Sequence, residues 1–144
     1  FVTEEDFQKL KAEGKIIEDR GYETVYGLWR YFTADNMNLE EKSYLGIGTL
    51  ESYEKLKAYY GEEKIRPIYI EVEDGERLKR AIAREETQEA PKYEEMCRRF
   101  LADAADFSEE KLKKAGVETR FVNEDFDTTV QEVASYIRND IAAD

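Results

Sequence analysis

The chain has 144 residues, with 34 acidic and 22 basic side chains, no histidine, one cysteine and two prolines. Without histidine, and with Cys97 alone, it holds no serine–histidine or cysteine–histidine pair, no imidazole or thiolate metal site and no intramolecular disulfide, so its chemistry rests on carboxylates, Arg, Lys, Tyr and backbone dipoles. The length suits one domain with a real core, 41% hydrophobic content argues against disorder, and a net charge of −12 argues against nucleic-acid or anionic-membrane partners.

No apolar run approaches 18 residues and no signal peptide is visible, so the chain reads as soluble and cytoplasmic. Phe1-Val2 reads as the end of a strand already under way, which suggests a piece that begins inside a larger fold. Thr3-Glu4-Glu5-Asp6 fits a capping box and predicts a helix over 4–13, stopped by Gly14. Short β-rich stretches follow at 16–18 and 22–26, separated by Gly21. A third at 28–33 puts Trp29 and Tyr31 on one face and Leu28 and Phe32 on the other. A polar connection over 34–41 leads to a short buried strand at 44–48. A helix over 50–60 carries Leu50, Tyr53, Leu56 and Tyr60 at helical spacing, and Thr49 reads as its cap.

Residues 67–72 predict a second buried strand and 74–84 a helix. Residues 85–92, with Pro91, read as a mobile loop, and helices follow at 93–106 and 109–115, the latter stopped by Gly116. Cys97, in the first of these, reads as a small packed residue. A third strand is expected at 120–123. Phe126, Val130, Val133, Ala134 and Ile137 form the apolar stripe of a closing helix. Strand and helix alternate as in a parallel sheet covered by helices, so the expected fold class is α/β. A small β-rich subdomain (1–34) precedes the α/β part (35–144).

Residues 77–99 hold seven basic side chains against five glutamates, a local +2 in a chain whose remainder carries −14. Arg80 and Arg84 lie four apart on one helix face, and Arg99 lies on the next helix. One reading is a solvated surface laced with i, i+4 ion pairs. The other is a clamp for a polyphosphate, because the planar guanidinium grips phosphate oxygens in bidentate fashion. Phosphoryl transfer is compatible with the absence of His, since it depends on positioning and charge neutralisation.

Several segments together resemble guanylate kinase, from about one third into that family's sequence to its end. Phe1-Val2-Thr3-Glu4-Glu5-Asp6-Phe7 resembles F-V-S/T-x-E-E-F, and Gly14-Lys15-Ile16-Ile17-Glu18 resembles E-G-x-F-L/I-E. Val25-Tyr26-Gly27 is similar to Y-Y-G. Arg80-Ala81-Ile82-Ala83-Arg84 keeps the spacing of two lid arginines, and Arg98-Arg99-Phe100 resembles R-R-L. Phe121-Val122-Asn123-Glu124-Asp125-Phe126-Asp127 is similar to V-V-N-D-D-L-D.

The resemblance implies a P-loop NTPase-like α/β fold whose first strand and phosphate loop are absent here, with a truncated monophosphate-binding subdomain at 1–34 and a helical lid at about 84–95. It implies the reaction ATP + GMP → ADP + GDP with Mg²⁺ in the complete protein, and an inactive fragment otherwise. Glu18 would accept hydrogen bonds from guanine, and Tyr26 would bind the monophosphate. Arg80, Arg84 and Arg99 would neutralise the transferring phosphoryl, and Asn123 would meet the ATP adenine. Read singly, Glu18 could equally be an exposed edge-strand carboxylate, Tyr26 a half-buried ring beside a turn, and Asn123 a turn or helix cap.

The chain also departs from the family pattern. No G-x-x-x-x-G-K-[ST] occurs in it. Gly46-Ile47-Gly48-Thr49 stands where the resemblance implies D-x-D, and Leu28 where it implies Ser or Thr. These losses support a rival expectation, a non-catalytic guanylate-kinase-like module that binds another protein.

Overall fold

The computed structural model describes residues 2–24 and 27–141. The chain divides into two compact units, Phe1–Arg66 and Pro67–Asp144, and the described residues form six α-helices and four strands. The fold is mixed α/β with small sheets.

In the first unit, helix α1 (Glu4–Ala12) starts as its capping box predicts: Thr3 Oγ1 accepts the Asp6 N–H at 3.1 Å, and the Asp6 carboxylate accepts the Thr3 N–H at 3.3 Å. Such a cap stabilises a helix by about 1 kcal/mol. Strands β1 (Ile16–Thr24) and β2 (Gly27–Ala34) form an antiparallel hairpin. The sequence reading had split β1 at Gly21. The strand runs through because a glycine lets Leu28 cross close by, where a Cβ would meet Leu28 Cδ1 at 3.1 Å.

One hairpin face packs on α1, with the buried Phe7 ring set edge-on to Phe32 at 5.2 Å between centroids and Arg30 lying over Phe7. Trp29 and Tyr31 occupy the opposite face, as their alternation indicates. Helix α2 (Leu50–Tyr60) is capped by Thr49, whose Oγ1 accepts the Ser52 N–H at 3.3 Å. The Tyr59 and Tyr60 hydroxyls both donate to the Asp35 carboxylate, at 2.8 and 3.1 Å, which ties the end of α2 to the residue after β2.

Residues 44–48 correct the sequence reading. They form no strand; Leu45 is 83% exposed and Ile47 is fully exposed. A strand needs a neighbour to satisfy its backbone and cover its apolar side chains, and glycine at 46 and 48 removes the side chains that would pack one face.

The second unit holds β3 (Tyr69–Glu71), α3 (Asp74–Glu86), α4 (Tyr93–Asp106), α5 (Glu109–Ala115), β4 (Arg120–Val122) and α6 (Phe126–Ile141). Strands β3 and β4 pair in parallel, Tyr69 opposite Arg120, and the ladder is extended by the Asn123 N–H donating to Glu71 O at 2.8 Å. The expected three-stranded parallel sheet is therefore a pair among the described residues. Ile70 and Val122 are exposed, so the strands are not covered on both sides as a buried parallel sheet would be.

Met96, Leu112, Ala115 and Val117 make the core of this unit. Complete burial of Leu112 contributes about 2–3 kcal/mol. Gly116, at φ 75°, ends α5 in the left-handed conformation that closes a helix most cheaply with glycine. Helices α3 and α4 meet where the Arg77 guanidinium lies 4.0 Å from the centre of the Phe100 ring. Cys97 is exposed rather than packed, because its neighbours Met96 and Phe100 take the inward stripe of α4. On α6, Phe126 and Val130 are exposed while Thr129 is buried. Val133, Ala134 and Ile137 are half-buried, as expected, beside Tyr136, whose ring meets Phe121 at 5.7 Å; the stripe departs from expectation only in the first turns, where the buried Thr129 donates to the Asp125 carbonyl at 2.8 Å. Among the described residues no helix is long and apolar enough to cross a membrane.

Candidate functional site

The hairpin carries the first cluster. Residues opposed across an antiparallel pair share a face, as do residues two apart along one strand. Glu18 opposite Thr33, Arg20 opposite Tyr31, and Tyr22 opposite Trp29 therefore line one face. Glu18 is only 4% exposed, which removes the reading of it as an open edge carboxylate.

Burying a carboxylate demands partners, and among the described residues Glu18 has two. Its Oε2 accepts from Arg20 Nε at 3.1 Å, and its Oε1 accepts from Thr33 Oγ1 at 2.9 Å. Arg20 reaches on to Thr49, where Nη1 donates to Oγ1 at 2.7 Å. Thr49 Oγ1 lies 3.4 Å from Ser52 Oγ. Two strands and the start of α2 thus share one charged network. Tyr26, expected beside it, lies outside the described residues.

The second unit carries the other expected residues. Arg80, on α3, bonds Glu76 Oε1 through Nε at 2.9 Å and the Glu124 carbonyl through Nη2 at 3.1 Å. This brings Arg80 to the residue next to Asn123. The Asn123 Oδ1 is buried and has no hydrogen-bond partner among the described residues, which leaves an acceptor open at the end of β4. The helix cap there is Asp125, whose Oδ1 accepts the Thr128 N–H at 2.9 Å, and not Asn123.

Arg99 is exposed on α4 and bonds Glu95 Oε1 at 2.8 Å; Arg98 grips the same carboxylate through two nitrogens. Their hydrogen bonds hold the Glu95 carboxyl down at about 2. Arg84 is exposed, and among the described residues its guanidinium has no ion pair. Arg80 and Arg99 are thus each held by a carboxylate of their own helix, the i, i+4 arrangement that a solvated surface would also show.

The sequence reading missed Arg20 and Thr33. The signal for both is the alternation Glu18, Arg20, Tyr22, hidden once Gly21 is taken as a break. No family model matches this chain, and no curated protein or solved structure matches it significantly. Among the described residues no three acidic or cysteine side chains gather where they could hold a metal ion.

Proposed function

We propose that this chain is the acceptor-binding and lid part of a guanylate-kinase-like phosphotransferase, which passes a phosphoryl group from ATP to GMP. The buried Glu18 is the observation that carries the proposal. Each carboxylate oxygen has two acceptor sites, so Glu18 keeps capacity beyond Arg20 and Thr33 for the N1–H and 2-amino donors of guanine. Adenine lacks that donor pair and would leave the carboxylate unmatched.

Asn123 Oδ1, buried and without a partner among the described residues, suits the 6-amino donor of the ATP adenine. Arg80, Arg84 and Arg99 would carry the phosphate charge. The pair holding Arg80 is half-buried and that holding Arg99 is open to solvent, and a polyphosphate could displace either pairing at little cost. Transfer calls for a phosphate loop that these 144 residues do not contain. Magnesium accompanies the nucleotide in this proposal and takes no ligand from the described residues.

The test is GMP-dependent ADP release by the full-length gene product, with Arg84→Ala beside it. Turnover that Arg84→Ala reduces at least a hundredfold is the expected result; turnover unchanged by the substitution removes the clamp. A second reading, the non-catalytic interaction module, is favoured by the exposed Leu45 and Ile47 and predicts GMP-independent background only.

A further inference from the structure

The hairpin face that buries Glu18 has a second charged member, Arg20, with donors to spare among the described residues. The Arg20 side chain is 18% exposed, and among the described residues two of its five N–H donors are used, one on Glu18 and one on Thr49. Among the described residues the second N–H of Nη1 and both of Nη2 have no partner. Next along the same face stand Tyr22, Trp29 and Tyr31, all exposed, with Tyr22 and Tyr31 edge-to-face at 5.8 Å. The rung of Arg20 and Tyr31 is about 7 Å from that of Tyr22 and Trp29, two residues at strand rise. The face therefore presents acceptors, then donors, then aromatic rings, in that order.

Guanine offers the complementary order. Its N1–H and 2-amino group donate, its O6 beside them accepts, and its ring faces stack on aromatic side chains. A guanidinium already bonded to the carboxylate that takes N1–H is the neighbour that O6 needs. Adenine has an amino donor at that position, which would meet Arg20 donor to donor.

We infer that Arg20 is a specificity-determining residue of this face, donating to O6 of a guanine nucleotide whose N1–H and 2-amino group Glu18 accepts, with Tyr22, Trp29 and Tyr31 as the aromatic surroundings. The inference rests on the proposed guanine reading of Glu18 and adds to it the residue that reads the opposite polarity.

Trp29 is the chain's single tryptophan, so its fluorescence reports on this face. The chain is titrated with GMP, with IMP, which lacks the 2-amino group, and with 6-thio-GMP, which replaces O6 by the weaker acceptor sulfur. GMP is expected to change the fluorescence and to bind about tenfold or more tightly than either analogue, the value of one lost charge-assisted hydrogen bond. Arg20→Met, shown to be folded by circular dichroism, should weaken GMP and IMP alike and abolish the preference for GMP over 6-thio-GMP. The analogue series on the unaltered chain decides the question should that variant fail to fold.

Equal binding of GMP and 6-thio-GMP by the unaltered chain overturns the role of Arg20 while leaving the guanine reading in place. So does a folded Arg20→Met that keeps the preference. No response to GMP, by fluorescence or by calorimetry, overturns the guanine reading and this inference together.

Discussion

Replacing Arg20 with Met tests whether the hairpin is held by its charge network. The substitution keeps a long apolar stem but removes the guanidinium that binds Glu18 at 3.1 Å and Thr49 at 2.7 Å. Glu18, 2% exposed at its side chain, is left among the described residues with the Thr33 hydroxyl alone. Breaking a buried pair on one side costs about 3–5 kcal/mol. The partial exposure of Arg20 lets water reach the vacated space, which places the expected loss near the lower end, about 3 kcal/mol. At an m-value of about 1–1.5 kcal/mol/M the urea midpoint then falls by about 2–3 M, read by the fluorescence of Trp29 in β2.

The control is the double variant Glu18→Leu with Arg20→Met. It leaves no uncompensated charge, and it should recover about 2 kcal/mol over Arg20→Met alone. A loss below about 1 kcal/mol in the single variant refutes this account. So does a double variant no more stable than the single, because either result means that Glu18 was never dependent on Arg20.

Two further outcomes follow from titrating groups. Burial, and then the Asp35 carboxylate, push the Tyr60 phenol from 10.0 up to about 12. Since the folded value is raised, the stability it confers is complete below pH 10 and is lost as the pH climbs from 10 towards 12. The ultraviolet titration difference between the unaltered chain and Tyr60→Phe should show this late ionisation, and Asp35→Asn should bring it to lower pH; a Tyr60 that ionises near 10.0 contradicts the packing of α2 on Asp35. Glu95 is shifted the other way, from 4.5 to about 2, by hydrogen bonds from Arg98 and Arg99. Its contribution is present above pH 4.5 and lost as the pH falls towards 2. Carboxyl NMR should find the value rising in 1 M salt and in Arg99→Ala, and a value indifferent to both would mean that the pair does not form in solution.

The elements that the sequence made legible are those whose signals are local. The Thr3 capping box, the Thr49 cap and the stop at Gly116 each act within a few residues, and each is where the sequence put it. The parallel pairing of β3 and β4 was legible in the alternation of strand and helix. What the sequence hid depends on partners distant in the chain. Tyr44, Leu45 and Ile47 look like a buried strand because their apolar side chains alternate with glycine, yet alternation does not supply a neighbour. On α6 the later part of the stripe, Val133, Ala134 and Ile137, was legible, but at its start Thr129 is buried while Phe126 and Val130 stay exposed, because what covers the first turn is set by tertiary packing. Glu18 was singled out through a resemblance, but its burial and its dependence on Arg20 follow from register, which a misplaced break at Gly21 conceals.

The arginines of the second unit show why pairing in an unliganded protein does not decide between a surface and a clamp. Ion pairs within reach of solvent are weak, so the glutamates that hold Arg80 and Arg99 compete weakly with any phosphate. The three arginines nevertheless differ in what their loss would report. Arg99→Ala frees Glu95 to Arg98 alone, a change visible at the carboxyl itself. Arg80→Ala also severs the bond to the Glu124 carbonyl, which joins α3 to the chain leaving β4, so lost activity there would mix lost binding with lost structure. Arg84 is exposed and unpaired among the described residues. Its removal disturbs the least protein, and a loss of turnover on Arg84→Ala would therefore be assigned to contact with the ligand.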